Sequence, residues 1–342
     1  MLSQTTAPAL TFKPTCPFQP VWWCTNPHAQ TIAGVVFATT PRLPWQRQRL
    51  DTPDGDFLDI DRLPAPNPKS SPRLLLLHGL ESSSRGHEVR NLMAAGQAAG
   101  WESIALNFRT CGGEMNRAER AYHSGETNDL AWLIEQVLQE DATRPILGIG
   151  ISLGANVLLK YLGEQGKNAP AQLQGAVAIS TPFDLNQATI EIEQGFNLLY
   201  MQRFVLSLKQ KAWTKQKIHP HLFEPQVIRS IQTLSGFDEK ITAPLHGFAS
   251  ARDYWTQSSS AQFLPHIHVP TLLISAQDDP FCPGHYLPYQ QVEQNPFLVA
   301  LFPESGGHAA FIDGGYPYRL QFWSHRQAIA FLQHVGSGFS ER

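Results

Sequence analysis

The chain has 342 residues, 42% apolar and 16% charged, which is enough hydrophobic material for a sizeable core and far too much for a disordered chain. Its 26 Lys and Arg stand against 29 Asp and Glu, a formal net charge of −3, so there is no overall basic field to hold nucleic acid and no such partner is expected. Four widely spread cysteines, Cys16, Cys24, Cys111 and Cys282, form no C-x-x-C pair. That argues against a zinc site and a disulfide framework and fits a reducing compartment. The first twenty residues lack the basic and apolar regions of a signal peptide. No apolar run approaches the roughly 18 residues of a membrane span. A cytoplasmic globular protein is the expectation.

Residues 1–45 are rich in Pro and Trp with little periodicity, and read as an arm laid over a core. Two alternating segments, 46–52 and Phe57–Leu63, flank Pro53-Asp54-Gly55, and an Asp-Gly between strand-like runs signals a hairpin. Four prolines make 64–72 a loop. From Arg73 short apolar runs alternate with helical stretches. The runs are Arg73–Leu77, Glu102–Asn107, 145–151, 173–180, 270–275 and 297–302. Runs of this length, bounded by Gly, Pro or polar residues, read as strands of a parallel sheet buried on both faces. Leu130, Leu133, Ile134, Val137 and Leu138 keep helical spacing, and 86–99, 153–164 and 318–334 also suit helices. The alternation predicts an α/β fold with a mostly parallel central sheet flanked by helices. Core segments are expected at 46–182 and 269–342. Residues 183–268 show helical character without a convincing strand, as a helical cap over the carboxyl edge of the sheet would.

The informative pentapeptide is Gly150-Ile151-Ser152-Leu153-Gly154. G-x-S-x-G alone is weak, with about 0.1 chance matches expected in a chain this long. Here it follows an apolar strand and opens an Ala- and Leu-rich helix, the strand–turn–helix of a nucleophile elbow. A serine there needs a base. His308 follows the last apolar run in a Gly-rich loop, whereas His325 and His334 fall in the final helix as exposed or capping residues, and His266 and His268 precede a strand. His219 and His221 suggest a metal pair, but no third ligand supports it, and neither metal nor organic cofactor is expected. Asp278 and Asp279 follow the preceding strand. Either can orient the imidazole. Asp279, just before the turn proline, is preferred, with Asp278 left to cap a helix starting near Gly284. The candidate oxyanion donors are the backbone N–H groups of Leu153, after the nucleophile, and Leu80, in the loop after Leu77-His78-Gly79.

These residues resemble the α/β-hydrolase superfamily, and more closely its YheT-like branch of serine esterases and lipases. The branch resemblance is carried by Pro27-His28-Ala29-Gln30-Thr31-Ile32, His78-Gly79-Leu80-Glu81, Asn107-Phe108-Arg109-Thr110-Cys111-Gly112-Gly113-Glu114, Tyr122-His123-Ser124-Gly125-Glu126 through Asp129, Thr242 to Phe248 and Asp278-Asp279-Pro280-Phe281. It extends from about residue 18 to 335. It implies a carboxylic-ester hydrolase with Ser152, Asp279 and His308 as nucleophile, acid and base, acting on a small ester, an acylglycerol or a phospholipid. Thr110 stands where the family pattern has glycine. The alternative is a non-catalytic ligand-binding or regulatory module on the same fold.

Other features read as structural. Arg109, His123 and Asp129 suit a polar network, and Trp22, Trp23 and Trp45 suit packing. Between Glu193 and Glu224 there is no acid, yet Arg203, Lys209, Lys211, Lys215 and Lys217 interleave with apolar residues. A solvated lid helix accounts for this. The sharper expectation is a cationic, apolar cap that touches lipid or membrane surfaces.

Overall fold

The structure, a computed structural model, describes residues 10–67 and 71–337. Residues 1–9 of the expected arm, 68–70 of the expected loop and 338–342 at the end of the second core segment lie outside these. An eight-stranded sheet is built from β1 (Gln46–Asp51), β2 (Phe57–Leu63), β3 (Arg73–Leu77), β4 (Glu102–Asn107), β5 (Ile146–Ile151), β6 (Leu173–Ile179), β7 (Thr271–Ile274) and β8 (Leu298–Leu301), in the order β1-β2-β4-β3-β5-β6-β7-β8. The β1–β2 and β2–β4 pairs are antiparallel and all others parallel. Gly55, at φ +76°, closes the β1–β2 hairpin. After β3 the chain steps outward to β4, then returns to lay β5 on the other side of β3. Strand order therefore reverses between β3 and β5, where ligands bind in open α/β sheets.

Strands β3, β4 and β5 are buried throughout because both faces are covered. Leu75 and Leu77 of β3 pack with Leu130, Leu133 and Val137 of α3 (Asn128–Glu140) and Leu158 and Leu162 of α4 (Leu153–Gln165). Leu74 and Leu76 point the other way, against Val89, Leu92 and Met93 of α2 (His87–Ala98) and Phe331 and Leu332 of α12 (Trp323–Ser337). This is the period-two alternation of a pleated strand turned into two apolar layers.

Between β6 and β7 no residue is in a strand. The segment holds α5 (Leu185–Ile192), α6 (Leu198–Ile218), α7 (Pro225–Ser230), the short turns α8 (Leu234–Phe237) and α9 (Ala243–His246), and α10 (Ala251–Ser258). Its helices share an apolar cluster that includes Met201, Val205, Ile228 and Phe237 and reaches Phe281 and Cys282 after β7. No helix among the described residues is long and apolar enough to cross a membrane.

Two expectations are corrected, and the arm is found to hold a helix. The arm contains α1 (Pro27–Val36), capped by the Asn26 side chain accepting from the His28 and Ala29 N–H groups. The final helix starts at Trp323, not 318. Tyr318 sits at φ +67° and Gln321–Phe322 (β10) pairs with Ile312–Gly314 (β9). Gly284 opens only a single 3-10 turn, before α11 (Tyr289–Gln294), and no Asp278 side-chain cap is made to it. Arg109 is buried between Asp129 (2.8 Å) and Asp56 (2.6 Å). Thr110 takes φ +72°, a left-handed conformation that explains why glycine suits this position better.

Candidate active site

Ser152 lies between β5 and α4 at φ +52°, ψ −118°, a conformation that costs free energy for a non-glycine residue. Its neighbours make the turn possible. A Cβ on Gly150 would lie 2.5 Å from Ala155 Cα, and one on Gly154 would lie 2.5 Å from Leu77 O. Only hydrogen at both positions lets strand, helix and the loop after β3 close together. The Ser152 N–H donates to Ile179 O at 2.8 Å, which fixes the turn to β6.

The structure brings His308 and Asp279 to this serine. His308 Nε2 is 3.0 Å from Ser152 Oγ, and His308 Nδ1 is 2.8 Å from Asp279 Oδ2. The other Asp279 oxygen accepts the N–H groups of Phe281 (2.8 Å) and Cys282 (3.2 Å). The Asp279 side chain is fully buried and that of His308 nearly so. Burial pulls the imidazole pKa down, but the charge and hydrogen bond of Asp279 outweigh it, and the net direction is up from 6.5. Asp278 does a different job: its Oδ1 accepts the Gly307 N–H at 2.9 Å. Burial raises the Asp278 carboxyl above its ordinary range, with the Asp279 charge adding to the rise.

The loop after β3 forms the opposite wall. A Cβ on Gly79 would meet Ser152 Cβ at 3.3 Å. His78 is buried and holds this loop: Nδ1–H donates to Gly79 O (2.8 Å) and Nε2 accepts the Phe108 N–H (3.2 Å). Burial lowers its pKa to about 4, so it stays neutral. The N–H groups of Glu81 and Ser82 are taken by Tyr122 Oη (3.0 Å) and Gly79 O (3.2 Å). Leu80, half-buried, lies between this pair and Gly79. Leu153 is the first residue of α4, where an N–H has no acceptor in its own helix. A hydroxyl, a base tethered by a carboxylate and unsatisfied helix-terminal amides can together transfer an acyl group.

Several contributing residues entered the sequence reading only as part of the resemblance, with no role assigned. Thr31 Oγ1 accepts the His308 backbone N–H at 2.9 Å. Gln30, fully buried, donates to Cys24 O (2.6 Å) and Ile312 O (3.0 Å) and accepts the Ile312 N–H (2.7 Å). Helix α1 thus clamps the loop bearing His308. The available signal was Asn26-Pro27, a helix start. Glu81, at φ +55°, accepts from Tyr122 Oη (2.6 Å), Lys211 Nζ (2.8 Å) and Ser207 Oγ. It ties the loop after β3 to α6.

That tie corrects the expected cationic cap. Lys211 serves Glu81, Lys215 is buried and donates to Asn116 O and Ala118 O, and Lys209 donates to Ile231 O (2.7 Å) and Arg229 O (3.2 Å). Only Arg203 and Lys217 of that series are exposed. His325 is also corrected: it is buried, not exposed, beside the Phe322 ring. His219 and His221 turn to Arg117 O (2.9 Å) and Glu119 Oε1 (2.7 Å).

Residues 72–315 match the protein family described as the alpha/beta hydrolase fold. The chain belongs to that α/β-hydrolase family. Within it, the chain is 36% identical over 327 residues to the esterase candidate YheT of Escherichia coli strain K12, covering 94% of this chain and 95% of that protein. It is 26% identical over 326 residues to phospholipase ABHD3 of Homo sapiens, covering 92% of this chain and 78% of the relative. It is 30% identical over 274 residues to the monoacylglycerol lipase of Saccharomyces cerevisiae, covering 76% and 58%. It therefore stands among the esterase- and lipase-like members of the family. Among solved structures, the esterase Pf2001 of Pyrococcus furiosus superposes with a TM-score of 0.55 at 16% identity, covering 94% of this chain and 99% of that one. That is a likeness of fold.

Proposed function

We propose that the protein hydrolyses carboxylic esters by double displacement through an acyl-Ser152 intermediate. The observation that carries this reading is the hydrogen-bonded line from Ser152 Oγ through His308 to Asp279 Oδ2, at 3.0 and 2.8 Å. His308 Nε2 takes the proton of Ser152 as Oγ attacks the ester carbonyl, then gives it to the departing alcohol. In the second half it activates water in the same way. Asp279 holds Nδ1–H and stabilises the imidazolium that forms. The N–H groups of Leu153 and Leu80 receive the oxyanion, and losing one such donor costs about 3 kcal/mol of transition-state stabilisation.

The substrate class is short- to medium-chain acyl esters, extending to acylglycerols and phospholipids, the lipids that the relatives' names point to. Residues 183–268 act as a cap over the site, because their cluster packs onto Phe281 and Cys282 beside the acid. Four free cysteines favour a cytoplasmic setting. Labelling with a fluorophosphonate probe tests the nucleophile, and a p-nitrophenyl ester series from two to sixteen carbons, then glycerides and phospholipids, tests the substrate. Modification at Ser152 and turnover of the shorter esters are expected. Folded protein left unlabelled would favour the non-catalytic module.

A further inference from the structure

The neighbours of Leu80 dictate where its N–H can point. That N–H shares a planar trans peptide with Gly79 O, so the two are directed oppositely. Gly79 O accepts from His78 Nδ1–H (2.8 Å) and from the Ser82 N–H (3.2 Å), which fixes the plane from within the loop. The Leu80 N–H itself has no acceptor among the described residues. The loop also lies against the nucleophile, since a Cβ on Gly79 would be 3.9 Å from Ser152 Oγ. An amide without an acceptor, on a fixed plane beside the serine, is what an oxyanion site requires.

Glu81 holds the other side of Leu80. Its backbone sits at φ +55°, where glycine would be unstrained and glutamate is not. The strained residue carries a side chain that is 5% exposed and engaged at both oxygens. Tyr122 Oη accepts the Glu81 N–H (3.0 Å) and donates its own proton to Oε1 (2.6 Å). Lys211 Nζ donates to the same oxygen at 2.8 Å, and Ser207 Oγ donates to Oε2. Tyr122 stacks on Phe108 at 5.7 Å, and the Phe108 N–H donates to His78 Nε2 (3.2 Å). The clamps on the two sides of Leu80 are thus joined through the core. Ser207 and Lys211 stand four residues apart on one face of α6. The carboxylate is therefore held from the cap, and Lys211 also reaches Cys111 Sγ (3.1 Å) in the loop after β4.

We infer that Glu81 is a positioning residue for the Leu80 oxyanion donor, and that α6 sets it through Ser207 and Lys211. The inference rests on the esterase reading above. It makes the segment 183–268 part of transition-state binding as well as a cover. With α6 seated against the loop, both donors are in place; with the carboxylate released, Leu153 is left as the firmly held one. An anchor that only fastened the cap would have no need of a strained backbone next to the donor.

p-Nitrophenyl butanoate and its thiono analogue, with C=S in place of C=O, separate positioning from stability. Sulfur is larger than oxygen and a weaker acceptor, so the thionoester gains little from the two donors. Glu81→Gln and Lys211→Met should each lower kcat on the ester roughly ten- to a hundredfold with KM little changed. The thionoester should lose much less, so the ester-to-thionoester ratio of kcat/KM should shrink about tenfold. Lys211→Arg keeps a cationic donor and should restore most of the ratio. Ser207→Ala takes one hydroxyl from the carboxylate and should shift the ratio in the same sense, which carries the test where Glu81→Gln does not fold. A purely structural tie would lower the melting temperature of these variants and leave the ratio at its wild-type value. That result overturns the inference, as does an unchanged kcat in Glu81→Gln and Lys211→Met. If the wild-type protein cleaves no ester and Ser152 stays unlabelled, the esterase reading fails and this inference falls with it.

Discussion

The surroundings of Ser152 force it into a shape that it would not adopt alone, and the proposed mechanism uses that shape. The left-handed backbone at φ +52° lifts Oγ out of the sheet edge to within 3.0 Å of His308 Nε2. Ser152→Ala keeps the Cβ and the backbone, so the melting temperature should hardly move while kcat falls roughly 10⁶-fold. More than a few per cent residual activity would point to another nucleophile. The pH profile follows from His308. In the proposed mechanism His308, as the base, must be neutral, and Asp279 raises the imidazole pKa above 6.5. Activity is therefore full above that raised pKa and is lost as pH falls through it, giving kcat/KM an acid limb with its midpoint above 6.5. In Asp279→Asn the charge that raises the pKa is gone. The residual activity, lower by about 10⁴-fold, should have its acid limb at lower pH. Asp278→Asn retains an acceptor for Gly307 and should lose much less, as a parallel pH–rate series on both variants would reveal.

At the scale of elements, the pentapeptide works by what it leaves out. In Gly154→Ala the new methyl would meet Leu77 O at 2.5 Å and His78 O at 2.6 Å, both backbone atoms that cannot swing aside. Helix α4 must then move off the end of β3, carrying the Leu153 N–H away from Leu80. We expect a loss of about 1–3 kcal/mol in stability, read by denaturant unfolding, and a fall in kcat on every ester tested. Helix α6 behaves as a strut. Three of its lysines are directed inward, and burial lowers Lys215 to about 8. Replacing Lys209, Lys211, Lys215 and Lys217 by Gln should therefore lower the melting temperature and depress turnover of soluble esters and anionic micelles alike, with no salt dependence separating them. A loss confined to anionic micelles would restore the cationic cap.

At the scale of the whole molecule, the site is closed by a contact between the two ends of the chain. Thr31 in α1 accepts the N–H of His308, 277 residues later, while Gln30 clips α1 to Ile312. Gly307 needs its positive φ of 62° here, and a Cβ on it would strike Pro27 O at 2.6 Å. Thr31→Val keeps the shape and removes the acceptor. Because a small misplacement of a base is costly in rate, kcat should fall roughly ten- to a hundredfold with KM little changed. An unaltered kcat would show that α1 only covers the loop.

The chain by itself determined the parallel strands, since runs such as Leu74–Leu77 and Ile104–Leu106 are continuous and apolar and can be satisfied only between two helical layers. It also determined the placing of Ser152, because two glycines flanking a serine between strand and helix have one economical geometry, and of His308 and the aspartate pair at strand ends. It did not show α1, whose buried face is Gln30, Thr31, Ala33 and Gly34 while Ile32, Val35 and Val36 are exposed. That pattern inverts the apolar stripe by which helices are read. Nor did it show which way the lysines of α6 point, and it favoured Asp279 for the imidazole without showing that Asp278 holds Gly307. A long flexible cation or one of two adjacent carboxylates is committed only by partners far away in the chain, and for Lys211 that partner, Glu81, is 130 residues distant. Periodicity reports burial along one element; hydrogen-bond partners between elements are set only when tertiary packing brings their loops together.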